Sequence, residues 1–135
     1  MRRYTLVFSL LLSILLSFLF RLAIEHNLFW TLWWYNSMMH FLGGLSVGFL
    51  LFWFAEVLGA RYVHISKSAF ILFSVFSIGF AWEIFELYLG LPANPVLSYP
   101  VDTFKDLILD VLGPALVLAL VSRKRLPSPL VEDGS

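Results

Sequence analysis

Residues 37–58 read SMMHFLGGLSVGFLLFWFAEVL, a run whose only ionisable side chains are His40, close to its start, and Glu56, close to its end. A helix over this run would reach about 33 Å at 1.5 Å per residue, enough to cross a hydrocarbon core of roughly 30 Å. Runs of similar length lie on both sides of it, at 4–24, 68–89 and 102–121. The expected fold class is therefore all-α: a polytopic transmembrane four-helix bundle forming a single transmembrane domain over residues 1–125. Residues 126–135, with Pro127, Pro129 and an acidic end, are expected to form a flexible cytoplasmic tail.

Composition supports lipid as the solvent. Hydrophobic residues make up 60% of the 135 and charged ones only 13%, too apolar for a water-soluble domain of this length. Nine Lys and Arg balance nine Asp and Glu, so no net positive field exists to hold nucleic acid. The absence of Cys excludes disulfides, thiolate nucleophiles and sulfur-ligated metals. Arg2 and Arg3 before an apolar run have the charge order of a signal peptide. The run is longer than a usual signal h-region, however, and no small-residue cleavage site follows, so it reads as a retained first helix.

Orientation follows from the basic residues. Arg2, Arg3, Arg61, Lys67, Arg123, Lys124 and Arg125, seven of the nine, fall on one side of a four-span topology, which predicts both termini in the cytoplasm. Arg21 and Lys105 are the exceptions, each at the outer end of a span where it can snorkel. The first outer connection holds Trp30, Trp33, Trp34 and Tyr35, rings suited to the headgroup layer. The second, 90–101, holds Pro92, Pro95 and Pro100 and reads as a short stiff loop.

Ionisable residues inside spans cost about 2.5–3.5 kcal/mol each at a helix centre, so their positions carry the functional signal. His40 lies about one turn into the second helix, with Gly44 and Gly48 below it on the same face. Glu83 and Glu86 share a face near the outer end of the third helix. Asp102, Asp106 and Asp110 descend the fourth as a single stripe of about 12 Å. Pro114 cannot donate to the carbonyl of Asp110, which leaves an oxygen free beside the deepest carboxylate. Five carboxylates at one depth need protons or cations. Oxygen donors with one imidazole and no thiolate suit Mg²⁺, Mn²⁺, Ca²⁺ or Zn²⁺.

Plainer roles compete for the same residues. Asp102 fits an N-cap of the fourth helix, Asn36 offers His40 a local partner, and Gly44, Gly48, Ser46, Ser74 and Ser77 suit close helix packing. Glu25 and His26 belong to the outer connection, and Trp82 suits packing.

The segments MMHFLGG at 38–44, AWEIFE at 81–86 and VDTFKDLILDVLG at 101–113 resemble the motifs of the YjdF-type bacterial inner-membrane proteins, a pattern similar to that of VanZ-like proteins. The resemblance covers about two thirds of the chain. It implies a multi-pass protein of the bacterial inner (cytoplasmic) membrane, with His40, Gly44, Glu83, Glu86, Asp102, Asp106, Asp110 and Gly113 in a shared site. The chain is short for that family.

The expected function is a divalent-metal site facing the extracytoplasmic side. His40, Glu83, Glu86, Asp102, Asp106 and Asp110 are its candidate ligands, and His40 and Glu83 the candidate catalytic groups. The site would bind or hydrolyse a phosphorylated or lipid-like ligand, as a lipid-phosphate-type hydrolase or transferase does. One alternative is a proton or cation translocator that uses the carboxylates as a relay. The other is a scaffold that forms a homodimer through Gly44 and Gly48.

Overall fold

The computed structural model describes residues 2–58, 66–90 and 97–123. The expected tail at 126–135 and the Pro92 and Pro95 part of the second connection lie outside them. The described residues are helical: α1 is Arg2–Glu25, α2 Leu28–Thr31, α3 Tyr35–Leu58, α4 Lys67–Leu89 and α5 Tyr99–Arg123. Three stretches, Tyr4–Glu25, Tyr35–Val57 and Lys67–Leu89, are long and apolar enough to cross a membrane. α5 is as long as these but carries Asp102, Lys105, Asp106 and Asp110 in its first half.

Local chemistry sets the helix ends. Ser66 caps α4, its hydroxyl accepting from the backbone N–H of Ala69 at 3.2 Å. Gly90 ends α4 with φ 64° while its N–H bonds back to Glu86 and Leu87, a conformation glycine adopts without Cβ strain. Between α1 and α3, Asn27 takes a left-handed φ of 54° and starts the single turn of α2. α5 begins three residues earlier than expected. Pro100 sits in its first turn, where the missing N–H costs nothing, rather than in the loop. The N–H of Asp102 bonds to the Ser98 carbonyl at 3.0 Å, so Asp102 lies inside the helix and is not its N-cap.

The packing order places α3 at the centre. It touches α1 on one side and α4 and α5 on the other, and α4 and α5 also pack together. α1 and α3 are clasped by serines: Ser9 donates to the Ser46 carbonyl at 2.9 Å, Ser46 donates to that of Ser9 at 3.1 Å, and Ser13 lies 2.9 Å from the Ser46 hydroxyl. The α3–α5 seam is closed by glycine. A Cβ on Gly44 would strike the backbone of Asp110, and one on Gly48 would lie 2.5 Å from Cβ of Pro114. This corrects the expected dimer face, because α5 of the same chain already fills the Gly44 and Gly48 stripe. It also redirects the carbonyl that Pro114 frees: the Asp110 oxygen faces Gly44 rather than standing spare for a ligand.

The fold is inverted relative to a soluble bundle. Large apolar side chains such as Ile14, Phe18, Phe73, Ile84, Phe104 and Leu116 are exposed, whereas Asn36, His40, Glu83, Asp102, Asp106 and Asp110 are buried. A conventional apolar cluster of Phe52, Ile71 and Val75 occupies the other half. We call the end that carries α2 the upper end; the buried polar residues belong to it.

Candidate functional site

His40 stands on the face of α3 that looks toward α4 and α5. It is 4% exposed, and its two ring nitrogens meet different groups. Nδ1 lies 3.3 Å from both carboxylate oxygens of Asp110, an acceptor for a proton on Nδ1. Nε2 faces three more carboxylates: Oε1 of Glu83 at 3.5 Å, Oε2 of Glu86 at 3.9 Å and Oδ2 of Asp106 at 3.9 Å. Gly79 makes room for Asp110, since a Cβ there would collide with its carboxylate.

Neighbours fix each carboxylate. Thr103 donates to Oε2 of Glu83 at 2.7 Å, and the Tyr99 hydroxyl donates to the Glu83 backbone carbonyl at 3.2 Å. Asn36 donates through Nδ2 to Oδ2 of Asp106 at 2.9 Å, which corrects the expectation that Asn36 partners His40. The Trp82 indole N–H donates to Oε1 of Glu86 at 2.7 Å. Lys105 bonds Asp102 and reaches Oδ1 of Asp106 at 3.4 Å. Tyr99 and Thr103 are site residues that the sequence reading did not single out, and Asn36 was read only as a partner of His40. The signal was present, because Asn36 lies one turn from His40, and Tyr99 and Thr103 lie two turns and one turn before Asp106 on the same face of α5.

What stays unmatched defines the centre. Among the described residues, three fully buried side-chain atoms have no hydrogen-bond partner: Nε2 of His40, Oε1 of Glu83 and Oδ1 of Asp106, the last touched only by the Lys105 ammonium. One ligand atom from each of these three residues lies within 4.8 Å of the others. Each unpaired buried group costs about 1–3 kcal/mol, a large share of the 5–15 kcal/mol that holds a typical domain together. Two atoms bound to one Zn²⁺ at about 2.0–2.2 Å stand at most about 4.4 Å apart. Nε2 of His40 lies 3.5 Å from Glu83 and 3.9 Å from Asp106, inside that limit. The buried His40, Glu83 and Asp106 group could hold a metal ion.

The geometry sorts the six candidates. His40, Glu83 and Asp106 converge on one point. Glu86 borders it through Oε2. Asp110 lies on the far side of the imidazole, and Asp102 is engaged by Lys105. Beside the group a cavity of about 460 Å³ opens between α1, α3 and α4, with Asn36, His40, Glu86 and Asp110 on its wall.

Comparison with curated proteins and with solved structures gives no match. A family profile does match, over residues 1–126. With its long apolar helices and its buried histidine and acids, the chain belongs to the family described as Predicted membrane protein (DUF2238).

Proposed function

We propose that the protein binds a divalent cation through His40, Glu83 and Asp106, with Glu86 as a fourth donor, and uses it to hold the phosphate of a lipid-like ligand. The observation that carries this reading is the convergence of one ligand atom from each of three helices, on His40, Glu83 and Asp106, with Nε2 of His40 and Oε1 of Glu83, 3.5 Å apart, both buried without a hydrogen-bond partner. A cation at that point satisfies Nε2 and Oε1 and offsets the charge of the surrounding acids. One imidazole among oxygens favours Mn²⁺ or Zn²⁺ over Mg²⁺ or Ca²⁺. Asp110, bonded to Nδ1, orients the imidazole as second partners of metal-binding histidines do. Whichever of Nε2 of His40 and Oε1 of Glu83 the cation leaves free would accept a proton from a water at that point, the route to a lipid-phosphate hydrolase or transferase.

The same reading takes α5 as a fourth span in one domain of residues 1–125, both termini in the cytoplasm, the tail 126–135 beyond it, and the site opening outward from a bacterial inner membrane. The basic-residue bias supports that orientation, and the likeness to YjdF-type proteins supports the membrane. Translocation is less well supported. Below Asp110 the spanning part of α5 has no charge, and the hydroxyls of Ser9 and Ser46 are committed to each other's backbone.

Elemental analysis of detergent-purified protein tests the cation. A stoichiometric divalent metal is expected, lost in Glu83→Gln and His40→Ala and released on acidification, because protons compete for the imidazole and carboxylates. Correctly folded protein without metal at neutral pH, after exposure to Mn²⁺ and Zn²⁺, refutes it.

A further inference from the structure

The cavity beside the acids is built unlike a site for a water-soluble ion alone. α1 and α4 both border it, yet among the described residues these two helices do not pack against each other, so the cavity is bounded there by side chains and not by a helix seam. Phe20 on α1 and Trp82 on α4 bridge the gap edge to face, with ring centroids 6.4 Å apart. From Glu86 down to Val75, both on its wall, α4 descends about 16 Å. That is close to the depth of one leaflet, half of a ~30 Å hydrocarbon core. Apart from the acids' end the lining is apolar but for Ser17, whose hydroxyl donates to the Ser13 carbonyl, and α3 leaves a bare patch in it: a Cβ on Gly43 would meet nothing within 4 Å. A slot of this depth, apolar for most of its length, matches one hydrocarbon chain.

The head of the slot selects for charge. Glu86 and Asp110 line it, with Glu83 and Asp106 just behind, so an anionic headgroup meets net repulsion even with a divalent cation present. Aromatic rings flank those carboxylates: Trp82, hydrogen-bonded to Glu86, together with Phe20 and Phe29. A carboxylate framed by aromatic faces is the chemistry that recognises an ammonium group, by ion pairing and by attraction to the ring quadrupole. We propose that the cavity holds one acyl chain of an amine-headed phospholipid, which enters sideways between α1 and α4 and sets its ammonium at Glu86 beside Trp82. The lipid's phosphate is then near the proposed cation, but neither the chain nor the ammonium contact requires that cation, so this inference goes beyond the function proposed above and does not depend on it.

The test uses the full chain in vesicles of phosphatidylethanolamine and phosphatidylglycerol. A trace of one or the other lipid carries a diazirine in an acyl chain, and after irradiation the adducts are located by peptide mass spectrometry. The ethanolamine probe is expected to label the cavity residues Val47 and Val75, with the glycerol probe about tenfold weaker there, a difference of roughly 1.4 kcal/mol. Gly43→Leu should cut that internal labelling by about tenfold while Phe73 and Phe104 on the outer surface label as before. The substitution enters open space and replaces glycine by a better helix former, so a thermal melt should find it at least as stable. Glu86→Gln should erase the preference between headgroups. Equal internal labelling by both probes in the unaltered chain, or internal labelling indifferent to Gly43→Leu, overturns the proposal. Elemental analysis of the same samples separates the two readings: metal-free protein that still takes the ethanolamine probe sinks the cation alone, and metal-loaded protein without internal adducts sinks the lipid alone.

Discussion

His40 organises the site because its two nitrogens do different work. Asp110 occupies Nδ1 at 3.3 Å, which turns Nε2 toward Glu83, Glu86 and Asp106. If Asp110 acts through the ring, Asp110→Asn should keep the imidazole in place, lose the charge that fixes its tautomer, and weaken the proposed metal binding by about 10- to 100-fold. Were Asp110 a ligand itself, the loss would match that of Glu83→Gln; titration of the apoprotein with Zn²⁺ distinguishes the two outcomes. The ionisable residues were legible in the sequence because charge is so costly in a span that each one asks for a reason. Their partners were not. Asn36 and His40 share a face of α3, and which of them meets Asp106 depends on the register between α3 and α5, which nothing within either helix specifies. The position of Asp110 against Nδ1 was hidden for the same reason: a stripe of acids gives depth and face, but not which nitrogen of the ring each acid will meet.

At the level of helices, the α3–α5 seam brings the acids of α5 up against His40. Gly44 and Gly48 let the two backbones approach, and Gly113 answers from α5, where a Cβ would come within 3.0 Å of the Leu45 amide. The carbonyl of Asp110, left without its helical donor by Pro114, lies against the bare face of Gly44, a position suited to a weak Cα–H···O contact. Gly44→Leu would thrust a side chain into that carbonyl. Overpacking costs about 1–3 kcal/mol even where side chains can yield, and here the obstacle is backbone, so a clear fall in melting temperature is expected together with loss of bound metal. An external dimer face predicts the opposite result, lost association with metal retained. Its neighbour Gly43 makes the contrast sharp, since the same substitution one residue away enters open space. A small-xxx-small pattern announces close approach in any sequence. Whether the approaching helix belongs to the same chain depends on which surface remains free after folding, and that is a property of the assembled bundle.

For the whole molecule the decisive feature is the division between a polar upper half and an apolar lower half. Below the site the interior is Phe52, Ile71 and Val75, with the Glu56 to Lys67 ion pair at 2.9 Å tying α3 to α4 near the lower end. Apolar length found all four runs in the sequence, yet only α1, α3 and α4 are apolar enough to cross a membrane by themselves, because the acids of α5 dilute its hydrophobicity. Its burial of Asp102, Asp106 and Asp110 resolves that conflict, since the stripe turns inward while Phe104, Ile108 and Leu116 face outward. A helix with an apolar outer face and a polar inner one can span a bilayer as part of a bundle though not alone. The topology proposed on that basis can be tested directly, because the natural chain has no cysteine and any label must report the one introduced. His26→Cys, exposed at the upper end, should react with a membrane-impermeant maleimide added to intact spheroplasts. Ser66→Cys, exposed before α4 at the opposite end, should react only after the membrane is broken. The reverse pattern would put the acids on the cytoplasmic side and any lipid entering between α1 and α4 in the inner leaflet. Labelling of both positions from outside would mean that the segment between them fails to span, because a helix that crosses once must separate its ends.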